Sequence, residues 1–271
     1  MEFTSDAVTP ELLEYLKSEE LLKYFSTEEQ INLDKEYVYT DPNFGCRGKI
    51  AFPADVKDLV YLHQTIRRRK CFTVLEFGLG FSTFIMADAL LKNKRDFQAL
   101  AEKPFIRCQT KFQLHTLDAE QQWISACKKR LSEHLDLADI ITFHFSGVSA
   151  TTFNGRMCHL YDKLPNIVPD FIYLDAPGTD SVQGSIHGME FVQCSDRTVM
   201  SADLCLIEPT LLPGCFIVVD GRTSNARFVK NNFQREWEYA WHKDRDISTF
   251  ELKEEPLGTL NETMLAYCGL L

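Results

Sequence analysis

Several things are scarce in this chain of 271 residues. Basic side chains are in deficit, 29 Lys and Arg against 39 Asp and Glu, for a net charge of −10. A nucleic-acid partner needs concentrated positive charge to neutralise phosphates, and none is expected. The one basic run, Arg67-Arg68-Arg69-Lys70, closes a predicted helix, where cations oppose the negative end of the helix dipole. No apolar run approaches the length that spans a bilayer, and acidic residues stand near the N-terminus where a secretory leader would carry basic ones. Nine cysteines, an odd number without any Cys-x-x-Cys pair, suit a reducing compartment. These observations lead us to expect a cytoplasmic protein without a membrane partner.

What is present is an α/β alternation. Thr9-Pro10 reads as a helix start leading into a Leu-rich stretch to about Phe25, and Val56, Leu59, Val60, His63 and Ile66 recur at helical spacing. Residues 26–50 are polar, with a turn at 41–45. Strands are predicted over 72–77, 113–117, 139–145, 170–174 and 215–219. Helical faces are read between and after them, at Trp123, Cys127, Leu131 and Leu135, and at Ala226, Val229, Phe233, Trp237 and Ala240. The tail, 247–253 and 262–268 about Pro256-Leu257-Gly258, reads as a β-hairpin. The expected fold class is α/β: a doubly wound, mostly parallel seven-stranded sheet with a C-terminal β-hairpin. A helical N-terminal extension occupies residues 1–50 and the main domain 51–271. Residues 92–112 and 176–200 exceed what the crossovers need, and the second stretch is a candidate cover over the ligand edge.

Parallel strands joined by right-handed crossovers place ligands at their carboxyl ends. Glu76, Asp118, Asp175 and Asp220 each end an apolar run there. Gly78-Leu79-Gly80 follows the first of them, and Ser82 and Thr83 open the next helix. Burying several carboxylates together is costly unless a cationic or hydroxyl-rich ligand meets them.

In the order of these motifs, roughly residues 50–268 resemble the class I S-adenosylmethionine-dependent methyltransferases, with a small-molecule O-methyltransferase as the closer likeness. The resemblance implies that Glu76, Gly78, Gly80, Ser82 and Thr83 receive the methionine and ribose part of S-adenosylmethionine. It implies that Asp118 takes the ribose hydroxyls, that Ser146 and Gly147 edge the adenine, and that Asp175 lies at the reaction end. Asp175, Asp220, His187 and Arg222 are the catalytic candidates: carboxylates as bases, His187 as an alternative base, and Arg222 as an anchor for an anionic acceptor. The pair Asp175 and Asp220 resembles the aspartates that hold a divalent cation in catechol and caffeoyl-CoA O-methyltransferases. Gly221 stands where that pattern has asparagine and its lysine is missing, so an obligatory metal is not expected; Asn225 could substitute only if the loop folds back. The acceptor would be a small hydroxyl-bearing molecule. An NAD-dependent oxidoreductase is the rival, but Thr83 replaces its third glycine and Asp118 lies some forty residues after the motif rather than about twenty. A catalytically silent cofactor-binding or interaction protein is the third reading. Oligomeric state is not legible.

Overall fold

The computed structural model describes residues 9–25, 55–194 and 196–271. The turn at 41–45, most of the 1–50 extension and Cys46 fall outside them. Thr9 caps the first helix, α1 (Pro10–Ser18), its hydroxyl accepting the Leu12 N–H, with Pro10 in the first turn as its fixed φ favours. A 3₁₀ turn, Leu21–Tyr24, follows. α2 (Val56–Arg69) is capped by Asp55, whose carboxylate accepts the N–H groups of Lys57 and Asp58.

The chain then alternates through β1 (Thr73–Phe77), α3 (Phe81–Ala99), β2 (Gln113–Asp118), α4 (Gln121–Leu131) and β3 (Ile141–Phe145). A small excursion, β4 (Val148–Phe153) and β5 (Arg156–Tyr161), precedes β6 (Phe171–Leu174). β7 (Val182–Gln183), α5 (Asp203–Ile207), β8 (Phe216–Asp220) and α6 (Thr223–Asn232) come next. β9 (Trp237–His242), β10 (Ile247–Leu252) and α7 (Gly258–Cys268) complete the described chain.

Seven strands form one sheet in the order β3-β2-β1-β6-β8-β10-β9. The first five run parallel, whereas β10 is antiparallel to both β8 and β9. The central strands are buried along their length because both faces are covered, as a parallel sheet requires. Alternate residues feed opposite cores. Val74, Leu114, Phe171, Tyr173 and Val218 pack with α2 and α3, while Leu75, Phe77, Leu117, Ile172, Leu174 and Val219 pack with Leu204 of α5 and with Ala226 and Val229 of α6. Leu16, Leu21 and Tyr24 belong to the first core, so the described part of the N-terminal extension shares the domain's interior.

The C-terminal expectations need correction. A strand is present where 247–253 is expected, and it is the reversed one, but its hairpin partner is β9, before it, and residues 258–268 are helical. Asn261 accepts the Leu257 N–H at 3.0 Å and tucks its amide toward Pro213, fixing the start of α7, and Leu265 and Cys268 face inward at helical spacing. The segment read as a continuation of α6 is β9: the helix ends at Asn232, and Trp237 and Tyr239 alternate onto Phe250 of β10. Phe233 and Trp237 do touch, their rings stacked 4.7 Å apart, but across a helix-to-strand turn.

The surplus at 92–112 is partly α3 itself, which runs on to Ala99. The stretch 176–200 is stitched down by β7, which pairs with β4 in a second sheet of order β5-β4-β7 that periodicity did not reveal.

Candidate active site

Register aligns the strand ends: Phe77 lies opposite Leu117 and Leu174, Asp118 opposite Phe145, and Leu174 opposite Val219. Gly78, Asp118, Asp175 and Asp220 therefore come out on one edge. Gly78 has a φ of +92°, and a Cβ there would lie 3.0 Å from that of Ala176, so the turn after β1 requires glycine. A Cβ on Gly80 would meet nothing within 4 Å, so the loop leaves open room beside its backbone.

Glu76 is fully buried and faces back into this loop rather than outward. It accepts Ser82 Oγ at 2.6 Å and Thr83 Oγ1 at 2.8 Å, and Thr83 Oγ1 in turn accepts the Gly80 N–H at 3.1 Å. Burial pushes the Glu76 carboxyl up to about 7 despite those hydroxyls. Glu76, Ser82 and Thr83 thus shape the loop, and threonine stands in the third-glycine position because it wires the loop to Glu76.

Asp118 is nearly buried, and burial lifts its carboxyl to about 6. It accepts the Glu120 N–H at 2.7 Å, inside the turn, whereas α4 begins only at Gln121. It is therefore not a helix N-cap. Ser146 donates its backbone N–H to Asp118 and its hydroxyl to the Gly147 carbonyl, fixing the turn after β3. A side chain on Gly147 would run into the Asp162 carboxylate. Ser181 Oγ reaches Glu120 at 3.1 Å, drawing the segment after β6 over the Asp118 turn. Trp123 is half-buried at the start of α4, whose buried residues are Ile124 and Cys127.

At the other end, Asp220 accepts a short hydrogen bond from Tyr173 OH. Burial first, then repulsion from Asp175, raises its carboxyl to about 7. The Asp175 side chain is about half exposed, 54%, and lies 3.5 Å from Arg222 Nη2. Arg222 spends its terminal nitrogens on the carbonyls of Pro177, at 2.7 Å, and Asp175. It clamps the segment after β6 more than it reaches outward. His187 is not brought to this cluster. It sits exposed, at a φ of +52°, in the two-residue turn between Ile186 and Met189.

Sequence reasoning passed over Tyr173, His159 and Tyr161, which lie inside apolar or mixed strands, and Asp203, which opens the short α5. Period-2 alternation on β5 was the signal that could have paired His159 with Tyr161.

The donor set does not fit a divalent cation. Asp175 already faces a guanidinium and Asp220 a phenol. The Asn225 amide is consumed by the backbone of Ser201, accepting its N–H at 3.0 Å and donating to its carbonyl at 2.9 Å. Among the described residues no group of three His, Cys, Asp or Glu could hold a metal ion. S-adenosylmethionine fits better: an open glycine turn, a carboxylate at the end of β2 and a tight turn after β3 line one edge.

Five parallel strands and a reversed β10 inserted between β8 and β9, with the glycine turn after β1, define the Rossmann-like methyltransferase fold. No protein-family model matches the chain, and no curated protein matches it. Among solved structures it is similar to the O-methyltransferase TomG from Streptomyces achromogenes in complex with SAM, with 14% identity, 93% of this chain and 92% of that chain covered, and a TM-score of 0.40. The SAH-bound Podospora anserina methyltransferase PaMTH1 gives 12% identity, 92% and 91% coverage and a TM-score of 0.44. A putative caffeoyl-CoA O-methyltransferase from Staphylococcus aureus gives 14%, 90% and 98%, and 0.43. Such distant superpositions carry no argument about chemistry, and the fold assignment rests on strand order and direction.

Proposed function

We propose that this chain is an S-adenosylmethionine-dependent methyltransferase acting on an oxygen of a small hydroxyl-bearing molecule, with residues 51–271 as the catalytic domain. The observation that carries the reading is Asp220, a carboxyl raised to about 7 at the strand-end edge that also holds the open Gly78–Gly80 turn and Asp118. A base poised near neutrality suits the removal of a hydroxyl proton.

In this reading Gly78, Gly80, Ser146 and Gly147 offer backbone to the cofactor and Asp118 accepts its ribose hydroxyls. When bound, S-adenosylmethionine supplies a methyl group already activated by a sulfonium. Asp220 would take the proton of the acceptor hydroxyl while that oxygen gains the methyl carbon and the carbon–sulfur bond breaks to leave the neutral thioether, and the Tyr173 hydroxyl holds the carboxylate in place. Arg222 positions Asp175 and the Pro177 turn so that acceptor and donor meet in line. Glu76, Ser82 and Thr83 keep the loop in shape without touching the ligand.

The test is turnover of a phenol and alcohol panel, together with calorimetry against S-adenosylhomocysteine and NAD. Asp220 works as a base only when ionised, so kcat/KM should fall as pH drops below about 7. Asp220→Asn should lower kcat by roughly 10²- to 10⁴-fold with S-adenosylhomocysteine affinity unchanged. Binding of NAD in preference to S-adenosylhomocysteine overturns the reading.

A further inference from the structure

Three hydrogen-bond donors beside this edge are buried and have no partner among the described residues: His159 Nδ1, Tyr161 OH and Arg222 Nε. Buried polar groups are nearly always paired, so three together call for an explanation. They are neighbours, because the Arg222 charge acts on both His159 and Tyr161. His159 and Tyr161 are two apart on β5 and so project from the same face. The Tyr161 ring lies 5.8 Å from that of Phe77, whose carbonyl accepts the Asp175 N–H at 2.9 Å, and Arg222 donates to the Asp175 carbonyl. His159 packs its ring on Phe191 at 5.0 Å. His159 is wholly buried and Tyr161 nearly so, 4% exposed.

All three atoms are donors. His159 Nε2 accepts the Met200 N–H at 2.9 Å, so the neutral ring carries its proton on Nδ1. Burial, with Arg222 adding to it, lowers the His159 pKa to about 3 and keeps the ring neutral, and burial pushes the Tyr161 phenol well above its usual range. The Arg222 Nε–H never ionises in this pH range. The nearest acids are already committed: Asp203 accepts the Tyr161 N–H at 3.0 Å and Ser201 Oγ at 2.6 Å, Asp175 faces Arg222, and Asp118 bonds the Glu120 N–H. A single water offers two lone pairs to three donors, whereas a carboxylate offers about four and meets the guanidinium charge.

We infer that His159 Nδ1–H, Tyr161 OH and Arg222 Nε–H form a carboxylate-binding subsite, and that the acceptors are hydroxy acids rather than neutral alcohols. The role given to the ligand rests on the methyltransferase reading, but the subsite does not. The His159 ring is fixed by the Met200 N–H and the Tyr161 backbone by Asp203, while Asn225 grips the intervening Ser201. Little reorganisation is needed on binding.

The test uses the full ¹⁵N-labelled chain, titrated with acetate and with acetamide, following the Arg222 Nε–H and His159 Nδ1–H resonances with and without S-adenosylhomocysteine. Acetate should shift both protons and bind about tenfold tighter than acetamide, as a charge-assisted contact predicts. Tyr161→Phe, which removes a hydroxyl without a partner among the described residues, should weaken acetate several-fold while the thermal midpoint holds or rises. Equal responses to acetate and acetamide, or none to either, overturn the subsite and leave an ordered water as the occupant. S-adenosylhomocysteine binding without an acetate response removes only the subsite, whereas the converse result removes the methyltransferase reading and leaves the subsite standing.

Discussion

Single carboxylates carry much of the architecture, and their jobs differ from what their neighbours in the chain suggest. Asp170, just ahead of β6, is an example. Its two oxygens accept the backbone N–H groups of Phe72 and Thr73, both at 2.8 Å, tying the starts of β1 and β6 together at the end of the sheet opposite the site. Asp170→Ala strands two N–H groups and should cost about 3 kcal/mol or more, measurable by urea unfolding. Glu76 makes a different prediction. Its carboxyl is raised from an ordinary 4.5 to about 7 in the fold, so the native state holds a proton that the unfolded chain releases. Its contribution is fully present below about 4.5 and is lost as pH rises through about 7. In Glu76→Gln the stability-versus-pH slope between these values should flatten, read from unfolding midpoints at successive pH values. The end of β1, its acid and its two glycines were legible because the residue types are local. That Glu76 points inward to Ser82 and Thr83 was not, because side-chain direction at the end of a strand is set by how the following helix packs.

Among elements, the joint between α1, the 3₁₀ turn, α2 and α3 has a single polar hub. Asp88 on α3 accepts Tyr24 OH at 2.8 Å, approaches His63 Nε2 at 3.1 Å and pairs with Lys92 at 2.7 Å, while His63 Nδ1 meets Tyr15 OH at 2.7 Å. Burial works to raise Asp88, but the bonds from His63, Lys92 and Tyr24 prevail and hold it at about 2. Because its pKa is depressed in the fold, its contribution is present above about 4 and is lost as pH falls toward 2. Asp88→Ala leaves a histidine, a tyrosine and a lysine without their shared acceptor and should destabilise by roughly 3–5 kcal/mol at pH 7. The gap between variant and parent in urea midpoint should narrow below pH 4. The helices here were predictable from spacing and caps, whereas their shared hub lies 25 and 64 residues from its partners in sequence. The C-terminal elements misled for the opposite reason. In 237–242 an aromatic every second residue competes with a hydrophobic every fourth, and only the presence of β10 decides for strand.

For the molecule as a whole, the prediction concerns the ligand edge. A cofactor that binds only the folded state stabilises it by about 2.7 kcal/mol at a hundredfold excess over Kd, which for a chain of this size is a rise of about 5 °C in midpoint. S-adenosylhomocysteine should produce such a shift by calorimetric melting, and NAD should not. No helix among the described residues is long and apolar enough to cross a membrane. Sequence alone determined the α/β alternation, the five parallel strands, a strand at about 247–253 and the acids and glycines at the strand ends, because each depends on periodicity and residue type within a short window. Tertiary structure decided which of those groups share a site. It turned His187 away, closed Asn225 onto Ser201, made Arg222 a clamp, and set His159 and Tyr161 near Arg222 through a second sheet. Those are contacts between segments tens of residues apart, fixed by how the layers pack rather than by any local pattern.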